Sequence, residues 1–233
     1  MCGRFTIASP PARLLAVFEA EPEEGLEEHF QLSWNLAPTR QVLGVTEEEG
    51  RRVLGRFRWG LLPSWAKDPS MSSRTFNARA ETVATKPTFR AAFAARRCLV
   101  PADPGFYEWS KRPADLKTPY LFRRADGEPM AFAGLWERWR PGPNEPWRRS
   151  LTIVTTDAGA DVAPVHDRQP VVLERDVWEL WLDPGRHDRE ELETLLVAGP
   201  PGVLQRVEVA RGVGSTANDG PELIAPVRRS SAS

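Results

Sequence analysis

Cys2 stands directly after Met1, and a small side chain at that position is the ordinary signal for removal of an initiator methionine. Once exposed, Cys2 carries an α-amine and a thiol on adjacent carbons. The amine titrates near ~7.7–8.0 in the reference state, so a neutral, nucleophilic fraction exists at physiological pH. A neutral amine attacks an aldehyde to form an imine, and the thiol then closes on the imine carbon to give a five-membered thiazolidine. Proximity makes that closure effectively intramolecular. An internal cysteine offers only a reversible hemithioacetal. The plainer reading keeps Met1 and leaves Cys2 as a small hydrophobe at the start of a strand.

Other residues have types suited to serving such a reaction. In FNARAET, Asn77 and Arg79 lie two positions apart. On a helix they diverge, whereas in an extended stretch they share a face, so the spacing predicts a helix only from about Ala80 onward. Asn77 suits orientation of a hydroxyl or carbonyl, and Arg79 suits a forked contact to phosphate. GFYEWS places Glu108 in an aromatic strand, on one face with Phe106 and opposite Tyr107 and Trp109. A carboxyl against apolar surface makes a proton donor. His166, in PVHDRQPVVL, precedes a strand and is a candidate general acid/base, while His29 and His187 have no evident role. Thr155, at the end of LTIVTT, offers a hydroxyl, and an ordinary strand threonine is the competing reading. In the basic stretch RFRWGLLPSWAKDPS, Trp59 reads as a core plug and Trp65 as an exposed ring on which a nucleic-acid base could stack. The two cysteines and three histidines are scattered without ligand spacing, so neither a metal nor another cofactor is expected.

These side chains need a frame. Gly3–Ile7 reads as a strand and SPPARLLAVFEA as a helix capped by Ser9, with prolines in its first turn. EPEEGLEEHF is an acidic connection. QVLGVT and RRVLGRFRW form a hairpin about EEEG, and TPYLFRR and PMAFAGLW a second about ADGE. RCLVPAD, GFYEWS and RSLTIVTT read as buried strands, VWELWLD and REELETLLVA as helices, and LQRVEVA as a late strand. Strands outnumber helices and hairpins join them. The expected fold is therefore α+β, a single domain over 1–227 with a mostly antiparallel, curved, barrel-like β core and peripheral helices. RRSSAS, 228–233, reads as a disordered tail.

Net charge is −1 over 233 residues, which argues against a generally basic nucleic-acid binder. The distribution is uneven: residues 51–100 hold 11 basic and 2 acidic side chains, whereas residues 1–50 hold 3 and 9. Such an excess fits a phosphate-binding face or, equally, a solvated face compensated by the acidic segments. No run approaches the ~20 apolar residues of a membrane span, and the N-terminus is too polar for a signal peptide. Two cysteines imply no disulfide framework. A cytoplasmic protein, likewise expected to be a monomer, is the reading.

MCGRF, WNLAPT, RWGLLPSWAKD, FNARAET, RCLVPAD with GFYEW, and HDRQPVVL occur in this order, with VGSTANDGPELIAPV near the end. In these motifs the chain resembles the SOS-response-associated peptidase (SRAP) family of abasic-site processing proteins over nearly its whole length. The resemblance implies self-removal of Met1, binding of single-stranded DNA that contains an abasic site, and a thiazolidine crosslink between Cys2 and the ring-opened deoxyribose, which shields the lesion. Carried over by motif, Cys2 is the nucleophile, Asn77 positions amine and sugar, Glu108 handles protons at ring opening, and His166 assists the imine step and reversal. The resemblance further implies that Arg4 and Arg79 hold phosphates, Pro38 lines the DNA side, and Trp65 wedges beside the missing base. Proteins of the replication fork are partners it suggests, with nucleoid association when DNA is bound.

One departure bears on the site. The family stretch usually reads Ala-Asp-Gly before the aromatic pair and glutamate, whereas here Pro104 intervenes in PADPGFYEW. Two outcomes are open: Gly105 absorbs the extra residue as a bulge, or Glu108 slips by one place and turns to the opposite face. Two other functions stay open: a cysteine acyl hydrolase using Cys2, His166 and Glu108, and a single-strand binding module without covalent chemistry.

Overall fold

A computed structural model describes residues 2–110 and 117–227; the expected disordered tail, 228–233, lies outside the described residues. The α+β architecture is as expected, and the barrel is a closed one. Strands β4 (Gln41–Glu48) and β5 (Arg51–Trp59) form the first hairpin. Glu49 and Gly50 take positive φ of 53° and 78°, the two-residue turn whose twist matches that of its strands. Next to β4 lies β7 (Arg97–Ala102), then β10 (Met130–Trp139), then β11 (Arg148–Asp157). β11 pairs back onto β5 in parallel at Ser150↔Arg58 and Leu151↔Trp59, and this closes five strands. A two-residue strand, β2 (Glu21–Pro22), extends β5, while β6 (Asn77–Arg79) and β12 (Arg168–Pro170) lie along β11.

A second, antiparallel sheet has the order β13 (Leu204–Glu208), β9 (Pro119–Arg124), β8 (Gly105–Trp109), β1 (Phe5–Ile7), β3 (Ser33–Leu36). The expected second hairpin about ADGE is therefore not one. The chain does turn there, with Gly127 at φ 77°, but β9 pairs with β8 and β13 whereas β10 pairs with β7 and β11. Turn chemistry is local; strand partners are chosen by burial. Phe122 on β9 stacks on Phe106 at 5.2 Å, and β10 completes the barrel wall with Phe132 fully buried.

Alternation along β8 splits its side chains between two cores. Phe106 enters the main core, and Tyr107 joins a smaller one with Leu121, Val209, Val213 and Leu223. Burying each such ring contributes about 1.5–3 kcal/mol. Trp59 is the buried plug expected of it, edge-on to Phe5 at 4.9 Å, its Nε1 donating to the Phe76 carbonyl at 2.8 Å.

Helices are short and peripheral. α1 (Pro11–Phe18) buries Leu14 and Phe18, and Phe18 stacks at 4.9 Å on Trp178 of a later helix, Trp178–Leu182. Ser9 does not cap α1: Pro10 holds the cap position without a side-chain bond, and the Ser9 hydroxyl donates instead to the Asp103 carboxylate. The acidic connection contains a short helix, Leu26–His29. Another, Arg90–Ala95, precedes β7 without an apolar repeat long enough to announce it. REELETLLVA is helical only over Arg189–Thr194. No helix among the described residues is long and apolar enough to cross a membrane.

Candidate active site

β1 runs antiparallel to both β3 and β8, with Phe5 opposite Leu36 and Phe106. The backbone just before it is held as well, since the Arg4 carbonyl accepts from Tyr107 N–H at 2.9 Å. Cys2 is thereby drawn into the interior and is fully buried. Asn77 reaches it from the barrel side. β6 lies parallel to β11 with Asn77 opposite Ile153, and the Asn77 Nδ2 donates to the Cys2 carbonyl at 2.7 Å. The other end of that amide, Oδ1, is buried and has no hydrogen-bond partner among the described residues. An acceptor in that state costs free energy unless something donates to it. It is positioned for a donor that arrives with the reaction.

Glu108 comes from the second sheet. Its strand pairs with β9 residue for residue, from Gly105↔Arg123 to Trp109↔Pro119, with no bulge. Gly105 forms no bulge: the Asp103–Pro104 peptide is cis and lies before the strand. Gly105 has a different task, because a Cβ there would stand 1.8 Å from the Phe122 carbonyl oxygen. Glu108 therefore keeps its inward face, is 3% exposed, and stands with Oε2 3.6 Å from the His166 Nε2. Burial, and then the nearby Glu108 charge, push the Cys2 thiol well above the usual thiol range.

His166 sits in the loop before β12, as its sequence context implies. Its Nδ1 accepts from the Arg168 backbone N–H at 3.0 Å, with the Arg168 carbonyl at 3.1 Å and the Asp167 carboxylate at 3.1 Å. One donor and two acceptors around the same nitrogen suit both the neutral and the protonated ring. Such surroundings fit a group that gives and takes protons.

The residues expected to meet DNA divide into two groups. Arg79 is exposed with no side-chain hydrogen-bond or ion-pair partner among the described residues, Trp65 is 58% exposed, and Pro38 is half-buried. Arg4 and Thr155 are engaged inside the protein. The Arg4 guanidinium donates to Asn35 Oδ1 at 2.8 Å and to the carbonyls of Val213 and Gly214 at 2.7 and 3.2 Å, which ties the N-terminus to the closing segment. Thr155 is fully buried and its hydroxyl donates to the Ala78 carbonyl at 3.3 Å. In both cases a local motif could not reveal a partner supplied from far along the chain.

The basic excess of 51–100 is likewise partly consumed. Arg51 pairs with Glu21 at 2.8 Å, Arg52 with Glu19 at 3.5 Å, Arg56 with Glu23 at 2.8 Å and Arg96 with Glu137 at 2.7 Å. Arg97 is buried and donates to five backbone carbonyls, from Phe93, Ala94, Trp181, Asp183 and Arg186.

Arg168 was not singled out by the sequence reading, though it lies inside HDRQP. It binds Glu81 through both terminal nitrogens, at 2.5 and 3.1 Å, Asp157 at 2.6 Å and the Thr155 carbonyl at 2.7 Å. One guanidinium thus joins the segment after Asn77, the end of β11 and the loop of His166. Asn35 was missed for the same reason; its Nδ2 donates to the carbonyls of Val213, Ser215 and Asn218.

Comparisons with known proteins place the chain in a family. The family model for SOS response associated peptidase (SRAP) matches residues 1–216. The chain is 35% identical over 226 residues to abasic site processing protein YoqW of Bacillus subtilis (strain 168), covering 96% of this chain and 99% of that protein. It is 31% identical to abasic site processing protein YedK of Escherichia coli (strain K12), over 97% of this chain and 100% of that protein. A solved structure from Bacteroides thetaiotaomicron superposes with a TM-score of 0.87 over 97% of this chain and 100% of that one, and at 21% identity this is a likeness of fold alone. With the family model matched over residues 1–216 and relatives of 31–35% identity matched over nearly their whole length, the chain belongs to the SOS response associated peptidase (SRAP) family.

Proposed function

We propose that this protein processes abasic sites in single-stranded DNA by forming a thiazolidine between Cys2 and the ring-opened deoxyribose. The observation that carries the reading is that Cys2 is held by the Asn77 amide at 2.7 Å and has its thiol within the field of Glu108, which in turn stands 3.6 Å from His166. Loss of Met1 frees the Cys2 amine. Its lone pair attacks the aldehyde carbon, a C–N bond forms, and the former carbonyl oxygen leaves as water after taking protons relayed by Glu108 and His166. The thiol sulfur then bonds to the imine carbon, and its proton ends on the nitrogen. One water is lost overall and no electron changes hands.

Asn77 holds the Cys2 carbonyl through Nδ2 and offers Oδ1 to the new amine. In this order of events the amine acts first and sulfur adds to an activated imine, so the first step asks for no thiolate. Arg79 and Trp65, exposed and unengaged, are the DNA-contacting groups in this reading, with Pro38 beside them, whereas Arg4 and Thr155 support the site from within. The functional unit is residues 1–227, acting as a monomer in the cytoplasm and on the nucleoid.

A denaturing gel tests it. Met1-processed protein incubated with single-stranded DNA carrying one abasic site is expected to give a slow band that survives denaturation without added reductant. Cys2→Ala and an intact-base strand are expected to give none. Absence of the band, with Met1 shown by mass to be gone, overturns the covalent mechanism.

A further inference from the structure

The turn joining β10 and β11 carries an unusual surface. Residues 138–149 read RWRPGPNEPWRR, with four arginines and one glutamate. Arg149 is used internally, paired with Glu23 and, at 3.7 Å, Glu48. Among the described residues, Arg138, Arg140 and Arg148 have no carboxylate partner, and neither does Arg58 on the adjoining strand, whose Nε donates to the Ser72 hydroxyl at 3.2 Å. Trp147 stands among them 52% exposed, with the Arg140 guanidinium 4.4 Å and that of Arg138 5.7 Å from its ring centroid. Beside it opens a cleft of about 620 Å³ lined by Arg58, Arg148, Trp147, Leu62 and Pro69. The carboxylate in its wall, Glu23, is neutralised by Arg56 and Arg149. Two other acids, Glu145 and Asp68, lie near in sequence, and Asp68 is turned to Ser70.

This surface is continuous with the Trp65 loop. Trp139 Nε1 donates to the Ala66 carbonyl at 2.7 Å, Leu62 N–H to the Ser150 hydroxyl at 2.8 Å, and Leu62 and Pro69 of the loop line the cleft. The same loop leads directly into Asn77. Arginines without counter-charges beside a half-open indole match a single strand, with phosphates on the guanidiniums and a base on the ring. The geometry points to a second DNA-contacting surface, formed by Trp147, Arg138, Arg140, Arg148 and Arg58, that holds the strand flanking the lesion. The inference rests on the function proposed above. From Arg148 to Thr155, β11 advances about 23 Å at ~3.3 Å per residue. That length corresponds to about seven stacked nucleotides at ~3.4 Å each.

The test compares capture of abasic oligonucleotides of about five nucleotides with strands of about twenty, extended on the 5′ or the 3′ side. Wild-type protein is expected to capture the extended strand about tenfold faster, from one flank only. Trp147→Ala with Arg140→Ala is expected to lose that advantage and to flatten the salt dependence of intact-strand binding by about 0.7 per lost phosphate contact. Capture of the short strand should be unchanged. Retention of the full length advantage overturns the inference, as does equal competition by polyglutamate, which would make the surface a site for acidic protein. Failure of the short strand to crosslink at all would instead indict the proposed chemistry. Anisotropy with an intact strand reads the flanking surface independently of it.

Discussion

The Asn77 side chain donates to the Cys2 carbonyl at 2.7 Å across a sequence separation of 75 residues, while its own Oδ1 stays buried and without a partner among the described residues. The amide therefore anchors the N-terminal backbone and leaves an acceptor where a freed amine would lie. Asn77→Ala is expected to slow crosslink formation about tenfold or more through lost orientation. The fold should lose only about 1 kcal/mol, the worth of one hydrogen bond. Single-turnover crosslinking beside thermal unfolding separates the two effects. A loss of rate no larger than the loss of stability explains would remove Asn77 from the chemistry.

Glu108 acts on the thiol of Cys2, beside the proton relay proposed for it. Its charge adds to burial in holding the Cys2 thiol above its usual range. Glu108→Gln is expected to lower that thiol pKa, so that iodoacetamide labels Cys2 several-fold faster at pH 8. Cys98, whose thiol is raised by burial with no such neighbour, should label at an unchanged rate. The same variant should slow crosslinking roughly 100-fold by removing a proton relay. Equal changes at the two cysteines would mean that the barrel had loosened.

Gly105 holds Glu108 in register. A Cβ at that position would stand 1.8 Å from the Phe122 carbonyl oxygen, a backbone atom that cannot give way. Gly105→Ala is expected to cost about 3 kcal/mol and to push β8 from β9, moving Glu108 away from His166. Chemical denaturation measures the cost, and crosslinking at a temperature where the variant stays folded measures the displacement. A fully stable variant would show that the strands part more easily than their pairing implies.

The Arg168–Glu81 contact makes the His166 loop sensitive to acid. The hydrogen bond from Arg168 holds the Glu81 carboxyl below its ordinary value of 4.5. A depressed carboxyl stabilises the fold above its unfolded pKa, and that contribution is lost as pH falls through the folded value. As pH falls through that lowered value the clamp should open, seen as faster amide exchange over residues 166–168. Glu81→Gln should show that faster exchange already at pH 7. Identical pH profiles for the two proteins would place the constraint on this loop elsewhere.

Much of the chemistry was legible residue by residue. Period-two alternation told which face of GFYEW carries Glu108, and it holds because β8 pairs without a bulge. The two-residue spacing of Asn77 and Arg79 marked an extended segment, observed as β6 followed by a 3-10 turn over Ala80–Thr82. The burial of Trp59 and the exposure of Trp65 followed from their flanking residues. These are short-range properties, set by backbone sterics and by the polarity of near neighbours.

Other features depended on segments distant in the chain. Nothing in TPYLFRRADGEPMAFAGLW shows that its two strands enter different sheets. Nor does RSLTIVTT show that β11 closes the barrel by pairing in parallel with β5. Nothing local shows that the 213–214 carbonyls accept from part of the Arg4 guanidinium, or that Ala78 accepts from Thr155. The charge of 51–100 looks free until Glu19, Glu21 and Glu23 meet it.

By itself, then, the sequence determined which side chains are able to do chemistry and which face of each strand they occupy, because those depend on residue type and local period. Only the tertiary structure decided which of them share a site and which are consumed as fasteners. Packing of the second sheet, which carries Cys2 and Glu108, against the closed barrel, along which Asn77 and the His166 loop lie, brings the four together from distant segments. That choice of partners is made by cooperative burial of the whole core, to which no single segment's pattern refers.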